Sequence, residues 1–240
     1  MRTAKRSWPA MLASMVLTAL VALGCRDGAN PVSSARTLAL TPDLPAVTEV
    51  AFTQEVCGVI PVTLVITENT RLTCDVVCTN TTGPCIQFGR NNVTLFLAGF
   101  TMTGPASPPA NCAANPSPAN PYDGVSTATF DRVKIRGPGM IQKFRRHGIF
   151  MFQTDKAVVE HVTSHYNCFS GILMAQSHEN YISENVSVRN SSASGPAPCG
   201  GNCLVSSNGN RVRRNHFNGN GSVAVGDPLG TPNDFGVGLT

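Results

Sequence analysis

Charge and aromatic rings are scarce in this chain: 13% of its 240 residues are charged, 6% are aromatic and one is tryptophan. So little charge and so few aromatics, with so much Asn, Ser, Thr and Gly, disfavour disorder. The abundance of Asn, Ser, Thr and Gly argues against a helical bundle and for many short strands joined by tight turns. The formal charge of +4 does not describe a basic face. Three of the 18 bases (Arg2, Lys5, Arg6) sit in a removable leader without acids, which leaves 15 bases against 14 acids, about +1. A nucleic-acid binder needs a concentrated basic face, so nucleic acid is not an expected partner. Long apolar runs are missing as well. The one near the start, from about Met11 to Leu23, is too short to span a bilayer and has signal-peptide flanks.

What is present begins with that leader, residues 1–24. Ala22-Leu23-Gly24-Cys25 resembles a bacterial lipoprotein lipobox, in which the cysteine is acylated and becomes the mature N-terminus; Leu stands two residues before the cysteine here rather than three. Ala22-x-Gly24 would also serve an ordinary signal peptidase. Cysteine parity favours lipidation of Cys25, because nine cysteines less this one leaves eight, an even set for an oxidising compartment. Residues 25–49 are rich in Ser, Ala, Pro and Thr without sustained periodicity and read as a flexible tether. The expectation is an exported chain, anchored by lipid alone to the bacterial envelope (outer membrane or cell surface), otherwise periplasmic or secreted.

Residues 148–220 carry one pattern three times. The copies open Gly148-Ile149-Phe150-Met151, Gly171-Ile172-Leu173-Met174 and Asn202-Cys203-Leu204-Val205, at spacings of 23 and 31 residues. A period of this length, built from β-rich runs and polar turns, signals stacked coils. Extending the alignment backwards stacks Val125, Ile149, Ile172 and Cys203 in one column, Thr127, Met151, Met174 and Val205 in a second, and Val133, Val158, Ile182 and Val212 in a third. His161, Asn185 and Asn215 then share a turn, where asparagine tolerates left-handed backbone and bonds along the stack. Residues 105–123 interrupt the rungs with six prolines and Cys112, and residues 191–201 are rich in Gly, Pro and Ser; both read as lateral loops.

In the first coils, Cys57, Leu72-Thr73-Cys74-Asp75-Val76-Val77-Cys78, Ile86-Gln87-Phe88-Gly89 and Asn92-Val93-Thr94-Leu95-Phe96-Leu97-Ala98-Gly99-Phe100-Thr101-Met102-Thr103-Gly104 resemble the start of secreted bacterial right-handed parallel β-helix proteins, the broad pectate-lyase-like group that includes NosD-type domains. Phe96, Ala98 and Phe100 depart from the Asp, Asn and His common there. The resemblance implies an all-β, single-stranded, right-handed parallel β-helix over residues 50–240. Asp234-Phe235-Gly236 reads as the opening of one more coil, so the chain is expected to be truncated or to have its last edge covered by a partner. Residues 44–56, read as a short helix, are expected to cap the other end.

No acid/base set stands out. All five histidines (His147, His161, His165, His178, His216) fall in the second half and have no helical metal-ligand spacing. Lyases of the resembled group place acids on calcium and use a Lys or Arg base. That implies Lys143, Arg145, Arg146, Lys156, Arg213 or Arg214 as base and the aligned Asp131 and Asp155 as a calcium pair, the only cofactor foreseen and only if the chain is a lyase. The coil alignment also stacks Glu160, Glu184 and Arg214, either a solvated charge ladder or an acid/base strip. Phe150, Phe152 and Leu173 point outward if their neighbours point inward, and serve either as stacking platforms for sugar rings or as a surface covered by the loops. Cys199 and Cys203 bracket a tight turn and are expected to bond. Cys57, Cys74, Cys78 and Cys85 should form two bonds, with Cys112 and Cys168 pinning the Pro-rich loop. The expected function is an envelope scaffold that binds polysaccharide or another surface component. The alternative is a lyase or C5-epimerase on uronic-acid polymers, with a groove near Arg145, Arg146, His147, Asp155 and His165.

Overall fold

In a computed structural model of the chain, describing residues 50–108, 112, 122–190, 200–220, 225–226 and 234–236, every paired strand runs parallel to its neighbours in stacked coils. The strands are β1 (Gln54–Ile60), β2 (Leu64–Ile66), β3 (Thr70–Cys78), β4 (Ile86–Phe88), β5 (Thr94–Phe96), β6 (Thr101–Thr103), β7 (Val125–Ser126), β8 (Lys134–Gln142), β9 (Ile149–Phe152), β10 (Val158–His165), β11 (Ile172–Ala175), β12 (Tyr181–Ser183), β13 (Val186–Val188), β14 (Asn202–Val205), β15 (Arg211–Arg213), β16 (His216–Asn218), β17 (Val225–Gly226) and β18 (Asp234–Gly236). One sheet runs β17-β14-β11-β9-β7-β4-β2. The other bends: β3, β8 and β10 each pair through their first half with strands such as β5 and β12, and through their second half with β6 and β13. Each coil therefore has three faces. The signal peptide, the tether and Cys25 lie outside the described residues, as do most of the Pro-rich loop, residues 191–199 and Cys199.

Alternation does the folding. In β9 and β11, Ile149, Met151, Ile172 and Met174 point into one continuous apolar core with Leu95, Ile135, Val159, Ile182 and Val212. Each fully buried side chain of this kind contributes about 1.5–3 kcal/mol. No coil can bury its inward row alone, so stacking is obligatory. Backbones also approach closely where coils open. A Cβ at Gly148 would sit 2.7 Å from the Gly171 carbonyl oxygen and 2.5 Å from Ser164 Oγ, which is why the opening residue carries no side chain.

Several columns differ from the sequence alignment by one residue. Ile172 pairs with Asn202 and Met174 with Leu204, so Cys203 and Val205 face outward. Val159, not Val158, joins Ile135, Ile182 and Val212. The Asn column continues through Val162 rather than His161, since Val162 N–H donates to Asn185 Oδ1 at 2.9 Å. His161 stacks instead with Glu184 and Arg214 in an outward row, its Nε2 3.2 Å from Glu184, which also pairs with Arg214, while Glu160 pairs with Arg136. The physical reason lies in the turns. The left-handed positions are Glu179, Glu184 and Arg189 (φ 57°, 56° and 51°), each preceding an asparagine. The left-handed residue turns the corner, and the next side chain points inward.

Those inward residues form ladders at three corners: Asn180–Asn210, Asn185–Asn215, and Asn167–Asn190–Asn220. Each asparagine Oδ1 accepts a backbone N–H from the preceding coil, and its Nδ2 donates to a carbonyl there, as Asn185 does to Val159 at 2.9 Å. The ladders fix a constant step of 30 residues between the last two full coils and so set the frame that carries Asn202 inward. Its Nδ2 and Oδ1 are buried in the apolar column without hydrogen-bond partners.

The two ends also differ from expectation. Asp234–Gly236 pairs with Arg211–Arg213, so it is the second strand of its coil, whose opening is Val225–Gly226. At the other end, Gln54–Ile60 is a strand laid on β3 rather than a helix. Residues 50–53 have no regular secondary structure, and residues 44–49 lie outside the described residues.

Candidate functional site

Between β8 and β9 the chain turns through Arg145, Arg146 and His147, and the last two are fully buried together with Asp123. Arg146 grips Asp123 in a fork, Nε to Oδ1 at 2.8 Å and Nη2 to Oδ2 at 2.5 Å, and Asp123 Oδ1 also accepts the His147 backbone N–H at 3.1 Å. The guanidinium lies 4.3 Å from the centre of the Phe150 ring. The His147 imidazole stacks on Phe150 (5.8 Å) and tilts against Phe169 (5.9 Å), while its Nδ1 accepts the Ser170 N–H. The proton therefore sits on Nε2, which is buried without a hydrogen-bond partner. Burial, then the Arg146 charge, holds His147 well below the usual imidazole range. Burial pushes the Asp123 carboxyl up, against the pull of Arg146 and of the His147 N–H. Removing one partner of such a pair costs about 3–5 kcal/mol. Arg146 and His147 thus brace the coil, and loss of function in an Arg146→Ala protein would report loss of structure.

The remaining expected residues scatter. Arg145 lies 4.6 Å from the Tyr122 ring centre. Asp155 is one coil along from Asp131 in a turn column: Asp131 accepts the Asp155 N–H at 2.9 Å, and Asp155 accepts the His178 N–H at 2.7 Å. Their carboxylates serve as backbone acceptors within the stack, and Asn208 continues the column beyond His178. His165 stands at the end of β10, on another face. Phe150 and Leu173 do point away from the core, but they are 5% and 8% exposed, packed with Cys203 and edged by Phe152. The stacking surface is thereby covered, because inward alternation leaves large apolar side chains outside that water would otherwise contact.

The disulfides close the first coils and the side. Cys57–Cys74, Cys78–Cys85 and Cys112–Cys168 are formed, and Cys203 is disulfide-bonded too. Cys168, Phe169, Ala106, Cys112 and Tyr122 pack as a satellite cluster that reaches His147 through Phe169.

Among the described residues, a groove of about 500 Å³ is lined by Val50, Asn69, Asn92, Thr94, Arg132, Lys134 and Lys156. Three cations and no acid line it. Lys156 is held 3.6 Å from Glu179 at its rim, and Arg132 Nε donates to Asn92 Oδ1 at 2.9 Å. A second groove of about 480 Å³ begins on the next coil, between Glu179, Asn180, Tyr181, Gly209 and Arg211. Of these cations the sequence reading singled out Lys156 alone. The missed signal is the alternation Arg132-Val133-Lys134-Ile135-Arg136, which sends Val133 and Ile135 inward and three positive charges outward from the turn before β8 and from its start.

A family model described as right handed beta helix region matches residues 122–230. No curated protein and no solved structure matches the chain.

Proposed function

We propose that this all-β, right-handed parallel β-helix repeat protein is an exported scaffold of the cell envelope that holds acidic polysaccharide in the groove lined by Arg132, Lys134 and Lys156. The observation that carries this reading is a polar groove with three cations, amide side chains and no acid in its walls. Carboxylate-bearing sugars match that chemistry, and the amides of Asn69 and Asn92 suit hydroxyl groups. Export is supported by the disulfides, which persist in oxidising compartments, and the lipid anchor by Cys25 and the sequence before it. No carboxylate lines the groove to hold the calcium that the resembled lyases place on acids, which favours binding over elimination.

Affinity electrophoresis through gels containing polygalacturonate or alginate provides the test. The disulfide-intact protein should be retarded, and R132A/K134A/K156A should bind at least about tenfold more weakly with little effect on stability, as these side chains face solvent. Retardation should fade near 1 M salt, where the Debye length is about 3 Å. Equal retardation by a neutral glucan, or by the triple variant, would sink the proposal. Release of unsaturated uronates during the run would replace it with the lyase reading.

A further inference from the structure

One corner of the coil, away from the groove, brings together residues that the scaffold does not need. Lys143, Tyr166 and Arg189 follow one another there in three successive coils, each with left-handed backbone (φ 57°, 55° and 51°), about 4.8 Å apart along the stack. Lys143 and Arg189 are exposed, and Tyr166 is half-buried between them. Beside this row stands His165, its ring centre 5.6 Å from that of Tyr166. Gln142 links the two sides: its Nε2 donates to Thr103 Oγ1 at 3.1 Å and its Oε1 lies 3.4 Å from His165 Nδ1. The neutral imidazole keeps one lone-pair nitrogen that can take up a proton. Partial burial, then the charges of Arg189 and Lys143, depress the basicity of this imidazole. Gln142 and Val188, which stack directly below and above His165, are uncharged.

We propose that Lys143, His165, Tyr166 and Arg189 form a binding site for an anionic group on a sugar, a carboxylate or a sulfate half-ester, gated by protonation of His165. Two cations in alternate coils, with a tyrosine ring and hydroxyl between them, offer charge and a stacking surface for one anionic sugar unit. An anion seated between Lys143 and Arg189 offsets their repulsion of a protonated His165, which adds to burial in lowering its basicity. The imidazole then takes up a proton more readily and becomes a third donor. Binding thus consumes a proton, and affinity rises as pH falls, by at most about tenfold per pH unit. The site does not depend on the groove. Together the two would let one molecule grip two glycan segments at different corners.

The test follows the His165 imidazole by NMR across pH in the disulfide-intact protein, free and saturated with trigalacturonate (carboxylate only) or neocarrabiose sulfate (sulfate only), with maltotriose as neutral control. In the free protein His165 should titrate below the ordinary imidazole value. Saturation with an anionic probe should move the midpoint up by about one pH unit, and the probe that moves it identifies the anion. K143A/R189A should abolish the displacement, and H165Q should flatten the pH dependence of affinity. A midpoint unmoved by both anionic probes, or moved equally by maltotriose, overturns the proposal. R132A/K134A/K156A must retain the displacement. Its loss there assigns the ligand to the groove and overturns the corner site, whereas its survival beside failed groove binding leaves the corner site standing alone.

Discussion

At the scale of single residues, His147 shows how burial converts an apparent catalytic candidate into a determinant of stability. Its ring is enclosed by Phe150, Phe169 and the Arg146–Asp123 pair, and only the neutral form fits there. The folded pKa lies well below the unfolded value of about 6.5. Between the two, the unfolded chain binds the extra proton, so this group's contribution is complete above about pH 6.5 and is lost as pH falls towards the folded value. The slope is at most about 1.4 kcal/mol per pH unit. Urea unfolding from pH 7.5 to 5 should therefore show a stability loss that His147→Asn removes, since an asparagine can still accept the Ser170 N–H and does not titrate. The comparison isolates His147 from His165, whose depressed value acts with the same sign. Parallel pH profiles for the two proteins would show that the imidazole is not held neutral by the fold.

At the scale of elements, the corner ladders decide both stability and what could be read beforehand. Asn185 accepts from Val162 N–H at 2.9 Å and donates to Val159 O at 2.9 Å and Asn215 Oδ1 at 3.0 Å, all buried. Asn185→Ala leaves these groups unmatched and should cost about 2–4 kcal/mol in urea unfolding. Asn220→Ala, at the part-buried end of its ladder, should cost about 1 kcal/mol; equal losses at both sites would mean the ladders are ornamental. The repeat, the parallel coil and the inward Ile149, Ile172, Met151 and Met174 were legible because the first two copies keep apolar residues at the same inward positions, a frame that Asn202 breaks in the third. The one-residue slips arose because apolar residues sit side by side at Val158-Val159 and at Cys203-Leu204-Val205, so hydrophobicity alone leaves two frames open. Asparagines five apart (Asn180, Asn185, Asn190, then Asn210, Asn215, Asn220) carry the missing frame. The basic groove was illegible for another reason: its cations come from an ordinary strand and two turns, and only stacking brings Asn69, Asn92, Arg132 and Lys156 together.

At the scale of the whole molecule, a stack whose coils touch only their neighbours has stability that is nearly a sum of local terms, so covalent links matter by where they close the chain. Cys78–Cys85 closes 7 residues and Cys57–Cys74 closes 17, both within the first coils, whereas Cys112–Cys168 closes 56 and ties the side loop to the turn after β10. The chain-entropy model gives about 2, about 3 and about 4 kcal/mol for loops of these lengths. The long link is also the one beside the buried pair: Cys168 N–H donates to Phe144 O at 3.0 Å and Phe169 N–H to Arg146 O at 2.8 Å. C112S/C168S should therefore be the most destabilising of the three double substitutions in urea, and its amide exchange should quicken first around Phe144, His147 and Phe169. The corner at His165 and the groove at Lys134 rest on regular strands and should keep their protection. If C78S/C85S proved more damaging, or if C112S/C168S loosened all coils alike, the link would be a global brace rather than a local clamp over His147.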